Sequence, residues 1–302
     1  MIVARTARNS LILESVCWIL LAAVAHWKWG WSAYAAIGGM VAGIVGLRVA
    51  LVATTFAIAI AHSPELPPGL RVSLIGGART FYKETFWLGL TYGYFIPFDQ
   101  IFLRGDRLGH AEHGRSPILL VHGYGCNRGV WVYLARVLHK AGWPVTTINL
   151  EPPRISKDDF ADQLSKRIRE VLDETGAERL ILVCHSMGGL VARRYLAKYG
   201  ESFVHAVVTL GTPHHGTELA RFGTGDCARQ MELGSEWLAR LPSNLRVPLV
   251  AIYSAHDNFV IPTGPCRLAG ARNIAVPGVG HVHMLFSHRI ANHLLRELAG
   301  VR

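Results

Sequence analysis

Between Ser10 and Ala61 only Glu14, Lys28 and Arg48 carry a charge. Hydropathy concentrated in one segment marks a membrane anchor more than a share of a soluble core. The segment divides into apolar runs at 11–27 and 32–61. A bilayer core of about 30 Å takes about 20 helical residues to cross, so the first run barely spans it and the second has length to tilt. Two transmembrane helices are therefore predicted over residues 1–62, the second able to tilt or to let Arg48 snorkel toward an interface. His26, Trp27, Lys28, Trp29 and Trp31 lie at the end of the first run as an aromatic belt. No small-x-small cleavage site precedes them, which argues against a removed signal peptide. Gly39 and Gly43 form a Gly-x-x-x-Gly pair that suits close packing, against the first span or against a second copy in a homodimer.

The remainder has an ordinary mixture of charge and loop residues. With 50% hydrophobic and 17% charged residues overall, a disordered chain is excluded. The net charge of +10 is diffuse. Its densest stretch, 166–169, falls on an amphipathic pattern beside acidic residues, so no nucleic acid is expected as partner and anionic lipid headgroups fit the excess better. Arg5 and Arg8 precede the first span, Lys28 alone separates the two, and Arg71, Arg79 and Lys83 follow. The positive-inside rule then places both ends of the anchor in the cytoplasm; a single real span would put the following domain outside. The cysteines, Cys17, Cys126, Cys184, Cys227 and Cys266, show no metal spacing. An odd number favours free thiols, although Cys227 and Cys266 could pair in an oxidising compartment.

Pro64, Pro67, Pro68 and Gly69 mark a linker, and the aromatic stretch 81–102 reads as core or membrane-surface packing. Residues 63–114 are thus a linker and lead-in. From 115 onward the pattern alternates. Strands are expected at 118–121, 145–150, 180–184, 204–210, 247–253 and 273–276, with helices at 130–140, 158–175, 187–199 and about 284–298. That order implies an α/β domain with a mostly parallel sheet flanked by helices, whose functional groups collect at the carboxyl ends of the strands.

The chemistry-bearing residues fall on those loops. Cys184-His185-Ser186-Met187-Gly188-Gly189 joins a strand directly to a helix, a turn that exposes a serine hydroxyl to a base. Cys184 stands where glycine is usual and is small enough to be tolerated. An acyl-transfer oxyanion needs two backbone N–H donors, and Met187 and Tyr124, the latter after His122-Gly123, are placed to supply them. Downstream, Asp257 follows one strand and His281 follows the last, in the expected order of acid then base, with His283 as the alternative base. No carboxylate or cysteine completes His281-x-His283 or His214-His215 as a metal site, and neither metal nor other cofactor is expected.

These four segments, with Gly211-Thr212-Pro213-His214-His215-Gly216-Thr217, resemble the α/β-hydrolase superfamily and within it bacterial lipases and esterases. The resemblance covers roughly residues 115–298. It implies Ser186 as nucleophile, Asp257 as acid, His281 as base, and a cap insertion at about 218–246. Expected substrate contacts are His122, Gly123, His185, Leu219, Phe222 and Trp237. The implied activity is hydrolysis of a lipid carboxylic ester, with phospholipid, lysophospholipid, acylglycerol and short ester all open, and the anchor places it at the bacterial inner membrane with the domain cytoplasmic. An acyltransferase or thioesterase on the same residues, or a non-catalytic scaffold of this fold, are the alternatives.

Overall fold

The computed structural model describes residues 1–62, 66–103 and 115–301; Pro64 of the expected linker lies outside them. Six strands form one parallel sheet in the order β2-β1-β3-β4-β5-β6: β1 Ile118–Val121, β2 Val145–Ile148, β3 Leu180–His185, β4 Val204–Leu210, β5 Leu249–Ser254 and β6 Arg272–Val276. Strands such as Ile118-Leu119-Leu120-Val121 are buried at every position, because helices cover both faces and no residue of the run meets water. Val121 is in register with both Ile148 and Cys184. The loops after β1 and β3 therefore leave from one level of the sheet, and this alignment brings distant sequence segments together.

Before the sheet come α1 (Ile2–Trp29), α2 (Ala33–His62) and α3 (Leu74–Leu90). Interleaved with the strands are α4 (Val132–Lys140), α5 (Lys157–Thr175) and α6 (Met187–Tyr199), and α7 (His288–Ala299) closes the fold. Local caps set several ends. Ser156 accepts the Asp158 amide at 3.1 Å to start α5, and Gly176 ends it in the left-handed region at φ 67. The terminal helix is shorter than the expected 284–298. A 3-10 turn at His283–Phe286 precedes it, and an extended Ser287 separates the two.

One core lies on each side of the sheet. On one face Leu119, Leu182 and Cys184 pack with α5, α6 and the Met231, Leu238 and Leu241 side chains of the insertion. On the other, Ile118, Leu120, Ile181 and Val183 pack with α4, α7 and residues of the N-terminal helices: Val3, Val52, Leu88 and Ile96. The aromatic lead-in therefore belongs to the body of the domain. Ser73 caps α3 by accepting the Gly76 amide at 3.1 Å, and Trp87 stacks on Phe286 with ring centroids 4.3 Å apart. A π-helical turn, Thr91–Phe95, follows it.

α1 and α2 form an antiparallel pair that is long and apolar enough to cross a membrane, with mean hydropathies of 1.7 and 2.2. Only 6% and 17% of their most apolar windows are buried, so neither is the core helix of a soluble fold. Arg48 makes a two-pronged pair with Glu14 of α1 at 2.6 and 2.7 Å. In lipid, pairing within the hairpin removes the cost of an isolated charge. Of the two packings that the Gly39 and Gly43 face suits, the one within the chain is made. A Cβ at Gly43 would lie 2.2 Å from the Trp18 ring of α1 and one at Gly39 3.0 Å from Trp31, so the chain's own tryptophans fill it.

Candidate active site

At the end of β3 the chain turns directly into α6 through Ser186, which has φ 53 and ψ −125. A non-glycine residue in that conformation costs about 1–3 kcal/mol, so the surrounding structure must impose it. The imposing contacts are visible. The Ser186 amide donates to Leu210 O at 2.9 Å, and the Thr212 hydroxyl donates to Ser186 O at 2.8 Å. Gly188 passes so close to β1 that a Cβ there would lie 2.4 Å from Val121 O, which explains the small residue two places after the serine. Cys184, in the matching place before it, is fully buried, and burial pushes its thiol far above the ordinary range. It is a packing residue.

Asp257 sits in the loop after β5 with both oxygens engaged. Oδ1 accepts the amides of Phe259 and Val260 at 2.8 Å each, and Oδ2 accepts Nδ1–H of His281 at 2.8 Å. Burial opposes a charge on His281, but the Asp257 charge, its hydrogen bond and the more distant Glu84 outweigh it, and the imidazole is raised above its usual value. With Nδ1 committed, Nε2 is the nitrogen left to accept a proton. His281 and Ser186 line one cavity of about 380 Å³, although no hydrogen bond joins them among the described residues. In enzymes without substrate such contacts are often long.

His283, the alternative base, does not line this cavity. Its amide is turned to Glu84, and burial, with Lys83, Arg289 and His288 nearby, lowers its ring to about 4. Of the two oxyanion positions, Met187 opens α6, where the first amides have no acceptor within the helix. Tyr124 lines the cavity, and its hydroxyl accepts the Thr224 amide at 2.9 Å and donates to Thr224 O at 3.0 Å, tying the loop after β1 to the insertion.

The expected substrate contacts divide. Gly123, His185 and Leu219 line the cavity; His122, Phe222 and Trp237 do not. His122 is buried, accepting the Leu150 amide on Nε2 at 3.0 Å and donating Nδ1–H to Gly123 O at 2.9 Å. Burial lowers it to about 4, as suits a neutral ring that pins the loop. Trp237 donates Nε1–H to Asp158 at 3.0 Å and lies under the Lys157 ammonium, while Phe222 is 66% exposed. Sequence reasoning missed Tyr92, Cys126, Phe259 and Val260, all of which line the same space, as does Met231 of the insertion. Tyr92 comes from the π-helical turn, and its hydroxyl lies 3.6 Å from Cys126 Sγ. All five cysteines are free thiols, so Cys227 and Cys266 are not paired.

The insertion is held firmly at its edges. Arg193 is buried and donates to His214 O at 2.9 Å and Pro242 O at 3.0 Å, and Gln230 accepts the Lys157 amide at 2.9 Å. A larger apolar groove of about 650 Å³ opens on the far side of Asp257, between α2 and α3, and His256 is on its wall while Ser186 is not. Among the described residues no cluster of His, Cys, Asp and Glu is arranged to hold a metal.

Residues 116–232 match the family described as alpha/beta hydrolase fold. A triacylglycerol lipase of Pseudarthrobacter phenanthrenivorans is 36% identical over 118 residues, which span 36% of each chain. One of Pseudomonas fragi is 31% identical over 153 residues, 46% of this chain and 52% of the relative. The protein has the α/β-hydrolase fold and is lipase- and esterase-like. Among solved structures, the mature Bacillus licheniformis lipase BlEst2 superposes on this chain with a TM-score of 0.56 at 21% identity, over 64% of this chain and 96% of that one. Aspergillus fumigatus lipase B gives 0.59 at 18%, over 65% and 55%. The chain thus spans about a third to a half of the length of the curated lipases that it matches.

Proposed function

We propose that this protein is a membrane-anchored serine hydrolase that cleaves carboxylic esters of lipids. The observation that carries the reading is the buried Asp257–His281 pair facing a cavity shared with a serine held on a left-handed turn. Ser186 Oγ attacks the ester carbonyl while His281 Nε2 takes its proton. Asp257 keeps Nδ1 protonated and stabilises the imidazolium that forms. The amides of Met187 and Tyr124 receive the developing oxyanion. Collapse of the tetrahedral intermediate breaks the C–O bond, with the proton returning from His281 to the leaving alcohol. Water then repeats the sequence on the acyl-enzyme and releases the acid.

Residues 1–62 serve as the anchor, and the hydrolase unit is built from residues 115 onward together with α3 and the aromatic lead-in that packs into its core, with its cap at 218–246. Support for membrane residence comes from the exposed apolar hairpin and from α3, where Leu74, Ile75 and Tyr82 are more than two-thirds exposed. The first turn of α1 packs on the body, Val3 donating its amide to Glu151 at 3.2 Å. That contact favours retention of α1 over removal as a leader. Both open ends of the hairpin lie on the hydrolase side with Arg5, Arg8, Arg71, Arg79 and Lys83, so the inner membrane of a bacterium with the hydrolase facing the cytoplasm fits the positive-inside rule. The test is hydrolysis by membranes containing the full chain. Long-chain acylglycerol in vesicles is expected to be cleaved, and His281→Ala, but not His283→Ala, to abolish it; loss in His283→Ala alone would reassign the base.

A further inference from the structure

Among the hydrogen bonds that tie the loop carrying His281 to the rest of the fold, two run to one side chain of the N-terminal helices. Glu84 of α3 is completely buried, and its two oxygens accept the amides of Val282 at 2.9 Å and His283 at 2.8 Å. His281's own amide donates to Asn258 Oδ1 at 3.1 Å, its carbonyl lies 3.2 Å from His185 Nε2, and Asn258 Nδ2 in turn donates to the Thr55 hydroxyl of α2 at 2.9 Å. The fit around the carboxylate is tight. A Cβ at Gly280 would lie 2.3 Å from Glu84 Oε2, so the loop is shaped around this side chain. Neither Glu84 nor Thr55 belongs to the stretch that matches the hydrolase family, residues 116–232.

We propose that Glu84 is a positioning residue for the catalytic histidine, fixing the backbone just after His281 while Thr55 of the membrane hairpin steadies the backbone of His281 itself through Asn258. The inference rests on the proposed role of His281. A base must be held within a fraction of an ångström of its nucleophile, and a displacement of about 1 Å is enough to cost on the order of 100-fold in rate. A buried carboxylate accepting two adjacent amides fixes a loop without occupying substrate space. It also places a second negative charge near the imidazole. The charged and titratable groups facing Glu84 are His281 and Asp257 from the loops and Tyr92 from the π-helical turn; His283 meets it through its backbone amide alone. Burial raises Glu84 to about 7 against the pull of the two amides, so it ionises near neutrality. By this arrangement the membrane-proximal helices become part of the site's support.

The test compares full-length wild type with Glu84→Gln, Glu84→Asp and Thr55→Val in membranes. The readouts are fluorophosphonate labelling rate at Ser186, kcat and KM for a short soluble ester across pH, and thermal unfolding. A glutamine cannot accept both amides and carries no charge. Glu84→Gln is expected to slow labelling and kcat about 10- to 100-fold at unchanged KM. Its acid limb moves to lower pH, because the imidazole loses a charge that favours protonation. Glu84→Asp keeps the charge but not the reach, so it is slowed with its acid limb near the wild-type position. Thr55→Val is expected to fall only about threefold. Wild-type rates and an unmoved limb in folded Glu84→Gln overturn the proposal, as does a rate loss that only tracks lost folded protein. If wild type fails to label at Ser186, the serine-hydrolase reading itself fails, and the role of Glu84 goes with it.

Discussion

The α/β body and the three helices before it reach the same histidine loop by opposite means. The body writes its contribution locally: β3, Ser186 and α6 are contiguous, and one turn places the serine. The helices contribute through single side chains, Glu84 and Thr55, whose partners lie 198 and 203 residues away. Chemistry can be encoded in a short stretch of strand and turn, whereas the support that aligns it comes from anywhere the fold brings a buried acceptor. The two regions also treat charge differently. In the body, Asp257 is buried against amides and an imidazole; in the hairpin, Glu14 is neutralised by a neighbouring helix.

The sharpest way to break this contrast is Asp257→Asn. An amide at Oδ2 presents an N–H where His281 needs an acceptor, so the ring flips to the wrong tautomer. Turnover of a soluble ester is expected to fall by roughly 10⁴-fold with little change in KM. A fall of less than about tenfold would place the acid elsewhere. The hairpin offers the counterpart. Glu14→Leu leaves Arg48 unpaired among apolar residues and is expected to destabilise the detergent-solubilised protein by about 3 kcal/mol, whereas Glu14→Leu with Arg48→Leu restores most of it. Thermal unfolding reads both, and in each the rate on soluble ester per folded molecule stays within about twofold of wild type. Equal loss of activity in both would mean that the hairpin pair acts on the site.

A pH profile separates the regions further. His281 must be unprotonated to take the serine proton, and its raised value means activity is retained above that pH and lost as pH falls through it. Half-maximal kcat/KM is expected above about 6.5, the ordinary imidazole value, and Glu14→Leu is expected to leave it unmoved. The smallest effect is at the cap. Phe222→Ser removes an exposed apolar side chain from the insertion. Vesicle-borne ester hydrolysis is expected to drop about threefold while soluble ester turnover is unchanged, in line with a lost surface contact of about 0.6 kcal/mol. A drop on both substrates would place Phe222 at the catalytic cavity.

Much of the fold was legible because its signals are short-range. Six apolar runs became six strands, and the glycines after Ser186 marked a turn that the structure places against β1. Elements of the site that depend on tertiary competition were not. Trp237 looked like a pocket residue because apolar insertions often cover such sites, but Asp158 and Lys157 hold its ring elsewhere. Tyr92 enters the cavity only because the turn after α3 is π-helical, a geometry with no single-residue signature. Glu84, between Lys83 and Thr85, reads as a solvated helix position; nothing adjacent announces the amides it meets.

The central claim is that the protein carries a serine made nucleophilic by the Asp257–His281 pair. Treating membranes that contain the full chain with a fluorophosphonate and mapping the adduct by peptide mass spectrometry tests it directly. A single modified residue, Ser186, is expected, with labelling absent in Ser186→Ala and reduced at least about 10³-fold in His281→Ala. A folded, membrane-inserted wild type that acquires no adduct at Ser186, or labels equally fast without His281, would contradict it.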